Sequence, residues 1–507
     1  MPQSLYLITL RKVSHLLTEE FWNTCPENPF LSFPPTIIND IISSTINYHS
    51  STSFNPADLH LLLATGRVQQ FEINNFAIND KLIPVLESLL NCKDLQSLRL
   101  TDVGECSTRA TEQLEKLLRV CTNLEDLHCS VVFDLKALRK CLKLRYVRLH
   151  FIPKQPFYEF LQTTGTCREP HTSLRVFTIC KDRAFFIPNG HITELLVHCP
   201  NLYSLGYIDV SAALEYLHGS GVEMGNVPPP YQLRSCFWGG DFICSRKRFC
   251  GKFEDTVRPR CTFFPFAVRV AVLACPLLEE LTIEVTRQCF ADTIMYLNVL
   301  TNLTFLEISL EDFICDFRPE LYCLLDRIGS KLKHLAIHRI ENVEFDTIFK
   351  SCPKLESLKV DCDSVVSDWA ETVDDLPHLR KFAFFCKNGD EKKSIQLVLS
   401  KCFNLKELFI KNACFLTDNC MIRILERNPF DCLEVAAISE CALTQRGLKM
   451  FLDNAIELEK IAFDSFKMSE EDAADVLCTR SPKLIIYSDY DILWTQEFFY
   501  HRRFFCV

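Results

Sequence analysis

Cys352-Pro353-Lys354-Leu355-Glu356-Ser357-Leu358-Lys359-Val360 decides the fold, because the chain keeps rewriting it. Near-copies are Cys92-Lys93-Asp94-Leu95-Gln96-Ser97-Leu98-Arg99-Leu100 and Cys402-Phe403-Asn404-Leu405-Lys406-Glu407-Leu408-Phe409-Ile410. Two more are Cys121-Thr122-Asn123-Leu124-Glu125-Asp126-Leu127 and Cys275-Pro276-Leu277-Leu278-Glu279-Glu280-Leu281-Thr282-Ile283. Each ends in an apolar/polar alternation of period two, the mark of a short strand. With the first leucine of the phrase as marker, copies begin at Val68, Leu95, Leu124, Leu144, Leu174 and Leu202. They resume at Leu278, Leu303, Leu332, Leu355, Leu379, Leu405, Leu433, Leu458 and Leu484. Most steps are about 23 to 30 residues, the range of leucine-rich repeats.

Helical stretches lie between the phrases: Asp80 to Leu90, Ser394 to Ser400, Cys420 to Arg427 and Thr444 to Leu452. A strand and then a helix in every repeat predicts an α/β leucine-rich repeat solenoid over residues 49–487. The expected form is a curved horseshoe with parallel inner strands and outer helices. In such a repeat the recurrent leucines point into the core and the residues between them face the concave side.

The totals agree with a folded chain. Its 507 residues are 48% hydrophobic and 24% charged, which excludes wholesale disorder. A net charge of -10, from 55 basic and 65 acidic residues, argues against a general nucleic-acid binder. Only 14 glycines argue against glycine-built phosphate loops. No apolar run approaches the roughly 18 residues of a membrane span. Arg11 and Lys12 follow the apolar stretch Leu5 to Leu10 instead of preceding it, the wrong order for a secretory signal. Many of the 27 cysteines recur at one repeat slot, so they read as small buried hydrophobes in a reducing compartment, cytosol or nucleus. No Cys-x-x-Cys pair, catalytic triad order or phosphate-binding loop is present, so neither an enzyme nor a cofactor is expected.

Residues 1–48 stand apart from the repeats. Ser4 is placed to cap a helix carrying Leu5, Thr9 and Val13 at four-residue steps, with Leu16 and Leu17 near the same stripe. After a break at Thr24 to Pro29, Phe33-Pro34-Pro35 opens a second helix whose apolar face is Ile37, Ile38, Ile41 and Ile42.

Ser4-Leu5-x-x-x-Thr9-x-x-x-Val13 resembles the elongin-binding box of ubiquitin-ligase receptors, with Thr9 where that family usually has cysteine. Phe33-Pro34-x-x-Ile37-x-x-x-Ile41 resembles the cullin box that follows it in VHL-box leucine-rich receptors of the Zyg-eleven type. The cysteine-bearing repeat is similar to that of F-box-associated and other ligase-associated leucine-rich proteins. The resemblance implies a non-catalytic substrate receptor of a cullin-RING ubiquitin ligase. Leu5, Thr9 and Val13 would then meet an elongin B/C adaptor, and Phe33, Pro34, Ile37 and Ile41 a cullin. Two other readings of the segment stay open: an F-box-like module for a Skp-type adaptor, and a plain lid on the repeat core.

On the repeats, alternation singles out Phe305, His338, Lys359, Phe385, Phe409 and Lys411 as concave residues that a protein target would meet. Between Leu202 and Leu278 the period is lost, an irregular insertion near 209–270 in which Leu233-x-x-Cys236-x-Trp238 reads as a degenerate repeat. Its basic run Ser245-Arg246-Lys247-Arg248 reads as a partner contact, not a nucleic-acid site. The aromatic end, residues 488–507, is expected to fold back as a cap. The alternative to a ligase receptor is a stand-alone leucine-rich binding scaffold or inhibitor.

Overall fold

The computed structural model describes residues 4–48, 56–74, 82–101, 106–151, 153, 155–164, 166–179, 187–239, 264–285, 289–310, 317–366, 375–386, 392–480 and 484–487. It divides into two compact units, Met1–Ile208 with Tyr231–Leu233, and Asp209–Pro230 with Arg234–Val507. The insertion core at 240–263 and the aromatic end at 488–507 lie outside the described residues.

In the first unit the strands are β1 (Gln70–Asn74), β2 (Ser97–Thr101), β3 (Asp126–Cys129), β4 (Tyr146–Leu149), β7 (Val176–Ile179) and β8 (Ser204–Asp209), with the small antiparallel pair β5 (Thr163–Thr164) and β6 (Cys167–Arg168) to one side. Neighbours in that sheet pair parallel in chain order, for example Ser97↔Asp126 and Asp126↔Tyr146. Its helices are α1 (Leu5–Thr18), α2 (Pro35–Tyr48), α3 (His60–Leu63), α4 (Leu82–Leu89), α5 (Thr108–Val120) and α6 (Asn189–His198).

The second unit repeats the scheme. Its strands are β9 (Ser235–Gly239), β10 (Glu280–Val285), β11 (Phe305–Leu310), β12 (His334–Val343), β13 (Ser357–Val365), β14 (Lys381–Cys386), β15 (Glu407–Lys411), β16 (Val435–Cys441), β17 (Lys460–Ser465) and β18 (Ile485–Tyr487). All pair parallel in order. Its helices are α7 (Ser211–Glu223), α8 (Phe264–Ala274), α9 (Phe290–Leu297), α10 (Arg318–Ile328), α11 (Phe345–Ser351), α12 (Lys392–Lys401), α13 (Asp418–Leu425), α14 (Gln445–Asn454) and α15 (Glu470–Arg480). The molecule is therefore a leucine-rich repeat α/β fold, and each of the four expected helical stretches is a helix. Part of the expected insertion is regular too. Residues 211–239 supply a helix and the strand of the degenerate repeat.

Strands start two residues past the marker leucine from Val68 to Leu458. The last does not: Lys460 pairs with Ile485, so Leu484 sits one residue out of register and is only half-buried. The repeats are tied by small polar devices. Cys92, Cys121, Cys141, Cys199, Cys275, Cys352 and Cys402 are at most 2% exposed. The Cys141 thiol donates to the carbonyls of Leu118 and Cys121 at 3.3 Å, satisfying groups that the interior would otherwise orphan. At one slot that departs from cysteine, a polar replacement reaches a carbonyl in the same way. Buried His171 stands in it with Nε2 3.4 Å from the Cys141 carbonyl. Between slot and leucine, Asn123, Asn201, Asn302 and Asn404 each donate a side-chain amide to a carbonyl of the preceding repeat, at 2.8–3.4 Å.

Candidate functional site

The first candidate surface is the start of α1. The Ser4 hydroxyl accepts from the Leu7 amide at 3.3 Å, the expected cap. Past it the apolar run Leu5-Tyr6-Leu7-Ile8 covers a full helical turn, so one buried stripe cannot absorb it. All four side chains stand out, with Leu5 79%, Leu7 48% and Ile8 50% exposed. The buried stripe is instead Leu10, Ser14 and Leu17. Ser14 donates to the Leu10 carbonyl and contacts the Ser44 hydroxyl, both at 2.9 Å, which fixes α1 on α2. Tyr6 adds a hydrogen bond from its hydroxyl to the Asp40 carboxylate.

Of the expected adaptor residues, Leu5 and Thr9 are exposed and Val13 is half-buried. Thr9 departs from the usual cysteine, and its geometry says what that costs. Its hydroxyl donates to the Leu5 carbonyl at 2.9 Å within the helix, so the group is satisfied without a partner. The exposed Thr9 side chain therefore carries no unsatisfied hydroxyl donor. Sequence reasoning missed Tyr6, Leu7 and Ile8, although four consecutive apolar residues on a helix already require some of them to be exposed.

The second helix is used differently. Ile38, Ile41 and Ile42 are at most 2% exposed, and Asn39 accepts from the amides of Gln69 and Gln70 at 3.2 and 3.3 Å, where β1 begins. Thus α2 packs at the edge of the first sheet where β1 begins. The expectation that Ile41 meets a cullin is corrected on this point: its side chain is in the core. Pro34 is exposed, and Phe33 and Ile37 are half-buried, Phe33 packing edge-on against Phe30 at 5.7 Å.

The second candidate surface is the sheet face of the second unit opposite the helices. Phe382 and Phe384 point the other way, against Phe345 at the start of α11, with ring centroids 6.0 and 5.9 Å away. By alternation Lys381, Ala383 and Phe385 face the opposite side. Across the strands this gives aligned rows. One reads Lys359, Ala383, Phe409, Ala437, Ala462 in register. The expected exposure of aromatic residues fails at two positions: Phe409 is 0% and Phe305 9% exposed. Phe385, Lys359, Lys411 and His338 are half-buried.

Two charged groups on this face have carboxylate neighbours within it. Lys381 pairs with Glu407, and His338 Nε2 lies 3.3 Å from Glu307. Burial pushes the Asp361 carboxyl upward, against the opposing pull of His338, Arg339 and Lys359. The thiols Cys121, Cys141 and Cys352 are pushed up to about 12 by burial and so remain protonated at neutral pH. Among the described residues no group of three or more His, Cys, Asp or Glu could hold a metal ion, and no helix is long and apolar enough to cross a membrane.

No family model matches the chain, and no curated protein matches it. Among solved structures it is similar to an internalin (inlF) from Listeria monocytogenes str. 4b F2365, at 12% identity over 85% of this chain and 88% of that one, with TM-score 0.28. It is also similar to the Rad7 and Elc1 complex in yeast, at 14% identity over 97% of this chain and 100% of that chain, with TM-score 0.43. Likenesses this distant identify no family.

Proposed function

We propose that this chain is a non-catalytic substrate-recognition subunit of a cullin-RING ubiquitin ligase. It docks an elongin-type adaptor through the first turns of α1 and holds a protein target on its leucine-rich repeats. The observation that carries the reading is the projecting apolar turn Leu5-Tyr6-Leu7-Ile8, on a helix whose opposite stripe is already pinned to α2. An exposed apolar helical turn is suited to a partner's hydrophobic groove. It coincides with the Ser4-Leu5-x-x-x-Thr9-x-x-x-Val13 pattern of the elongin-binding box. Cullin contact falls to Phe33, Pro34 and Ile37, because Ile41 is inside. On this reading the protein works in the cytoplasm or nucleus, where such ligases act.

One observation favours a second reading, a stand-alone binding scaffold. The packing of α2 at the edge where β1 begins gives residues 1–48 a structural purpose that needs no adaptor. Co-purification separates the two readings. The chain is mixed with purified elongin B/C and, separately, with a Skp-type adaptor. Recovery of elongin that Leu5→Asp abolishes supports the ligase reading. If neither adaptor is recovered at micromolar concentration, the scaffold reading stands.

A further inference from the structure

Tyr6, Leu10, Ser14 and Leu17 follow one another at helical spacing, so Tyr6 extends by one turn the stripe of α1 that faces α2. It meets no core there. Residues 4–9 are all exposed, and burial begins at Leu10. A helical end that buries nothing is marginal, because its first turn fixes several dihedrals for one hydrogen bond. Side-chain bonds oppose that fraying, and they differ in reach. Ser4 and Thr9 bond within α1, at 3.3 and 2.9 Å, whereas the Tyr6 hydroxyl donates to the Asp40 carboxylate, 34 residues away on α2.

Asp40 is a firm anchor for that bond. On one side Asn39 accepts from the Gln69 and Gln70 amides at 3.2 and 3.3 Å, and on the other Ile41 is 1% exposed. The hydrogen bond to Asp40 pushes the Tyr6 phenol above its ordinary pKa, so the hydroxyl keeps its proton at neutral pH and remains a donor.

We propose that Asp40 is a positioning residue for adaptor docking: through the Tyr6 hydroxyl it holds the exposed turn Leu5-Tyr6-Leu7-Ile8 helical before a partner arrives. The inference rests on the adaptor reading of α1. Leu5, Leu7 and Ile8 then act by contact with the groove, and Tyr6 with Asp40 acts by restraint. A turn already ordered in the free chain loses less conformational freedom on binding, which tightens the complex without adding a contact to it. An exposed bond of this kind contributes little to folding. The turn it holds buries nothing in the free chain, so its effect falls on affinity and local order and not on the melting temperature.

The test is a double-mutant cycle on the full chain, titrated calorimetrically with purified elongin B/C, beside amide hydrogen exchange of the free chain. Tyr6→Phe and Asp40→Ala are each expected to raise Kd about threefold to tenfold. Combined, they are expected to go no further than the stronger single substitution. Asp40→Asn, whose carboxamide oxygen still accepts from the hydroxyl, is expected to recover most of the loss. In the free chain the Ile8 amide, which donates to the Ser4 carbonyl at 3.2 Å, is expected to exchange faster in Tyr6→Phe and Asp40→Ala while Tm is kept. Additive effects in the cycle overturn the proposal, as does exchange at Ile8 unchanged by Asp40→Ala. An Asp40→Ala chain that melts as early as Leu10→Ala also overturns it, since the residue is then a general support of the fold. If the parent chain binds no elongin, the adaptor reading falls and the docking role with it. Exchange is read without elongin, so it decides the restraint of the turn separately.

Discussion

Leu5 and Leu10 lie in the same helix, yet one is 79% exposed and the other 8%. The same substitution to alanine should therefore have opposite readouts. Leucine carries three carbons more than alanine, each giving about 0.8 kcal/mol when buried. With roughly four-fifths of Leu5 open to a partner, its truncation should weaken adaptor binding by about 2 kcal/mol, about thirtyfold in Kd. Folding should be untouched. Leu10→Ala instead leaves a cavity against α2 and should destabilise the fold by about 2–3 kcal/mol, at the low end because a surface helix can settle into the space. The assay is calorimetric titration of each variant with purified elongin B/C, beside a thermal melt. The reasoning is refuted if Leu5→Ala binds as tightly as the parent, or if it lowers Tm as far as Leu10→Ala does.

Other outcomes follow from particular contacts. Asn428 is 1% exposed and donates to the carbonyls of Leu399 and Cys402 at 2.7 and 3.0 Å, so Asn428→Ala should cost about 2–4 kcal/mol in chemical denaturation. Gly329 stands in the cysteine slot, where an added Cβ would lie 2.5 Å from the Ser351 carbonyl oxygen, and Gly329→Ala should cost about 1–3 kcal/mol in the same measurement. In a pulse of iodoacetamide near pH 8, read by mass spectrometry, exposed Cys167 and Cys323 should be alkylated in the native protein, while Cys121, Cys141 and Cys352, at about 12, should react only after unfolding. His128 is held down to about 4, first by burial and then by His150 and Arg148, with Asp126 opposing. The unfolded chain therefore binds the extra proton between about 6.5 and that value, and stability should fall as pH drops through this window. Replacing His128 with glutamine should reduce the slope of unfolding free energy there by at most about 1.36 kcal/mol per pH unit.

The repeat was legible because its signal is local and redundant. Cys402, Leu405, Leu408 and Ile410 say where one strand lies, and other copies repeat the statement. Even the degenerate Leu233-x-x-Cys236-x-Trp238 gave a strand. The last copy was misread by one residue because Leu484, Ile485 and Ile486 are all apolar, and only pairing with β17 selects the register. At the amino end, the pattern Ser4, Leu5, Thr9, Val13 located a helix and its cap, but it could not say which stripe would be buried. Two neighbouring apolar stripes compete for one surface of α2, and the Ser14–Ser44 contact belongs to the winner.

What the sequence determined by itself is the set of residues that must leave water: the cysteine slots, the leucine ladder and the strand direction they impose. Periodicity suffices for that, since each repeat can bury its apolar side only against its neighbours. What only the tertiary structure decided is the fate of the residues between the leucines. Alternation places Phe409 and Ala437 on the face opposite the helices, and they are buried there all the same. Leu5 has the composition of a core residue and is exposed. Burial depends on what arrives from distant parts of the chain, and no local pattern encodes that arrival.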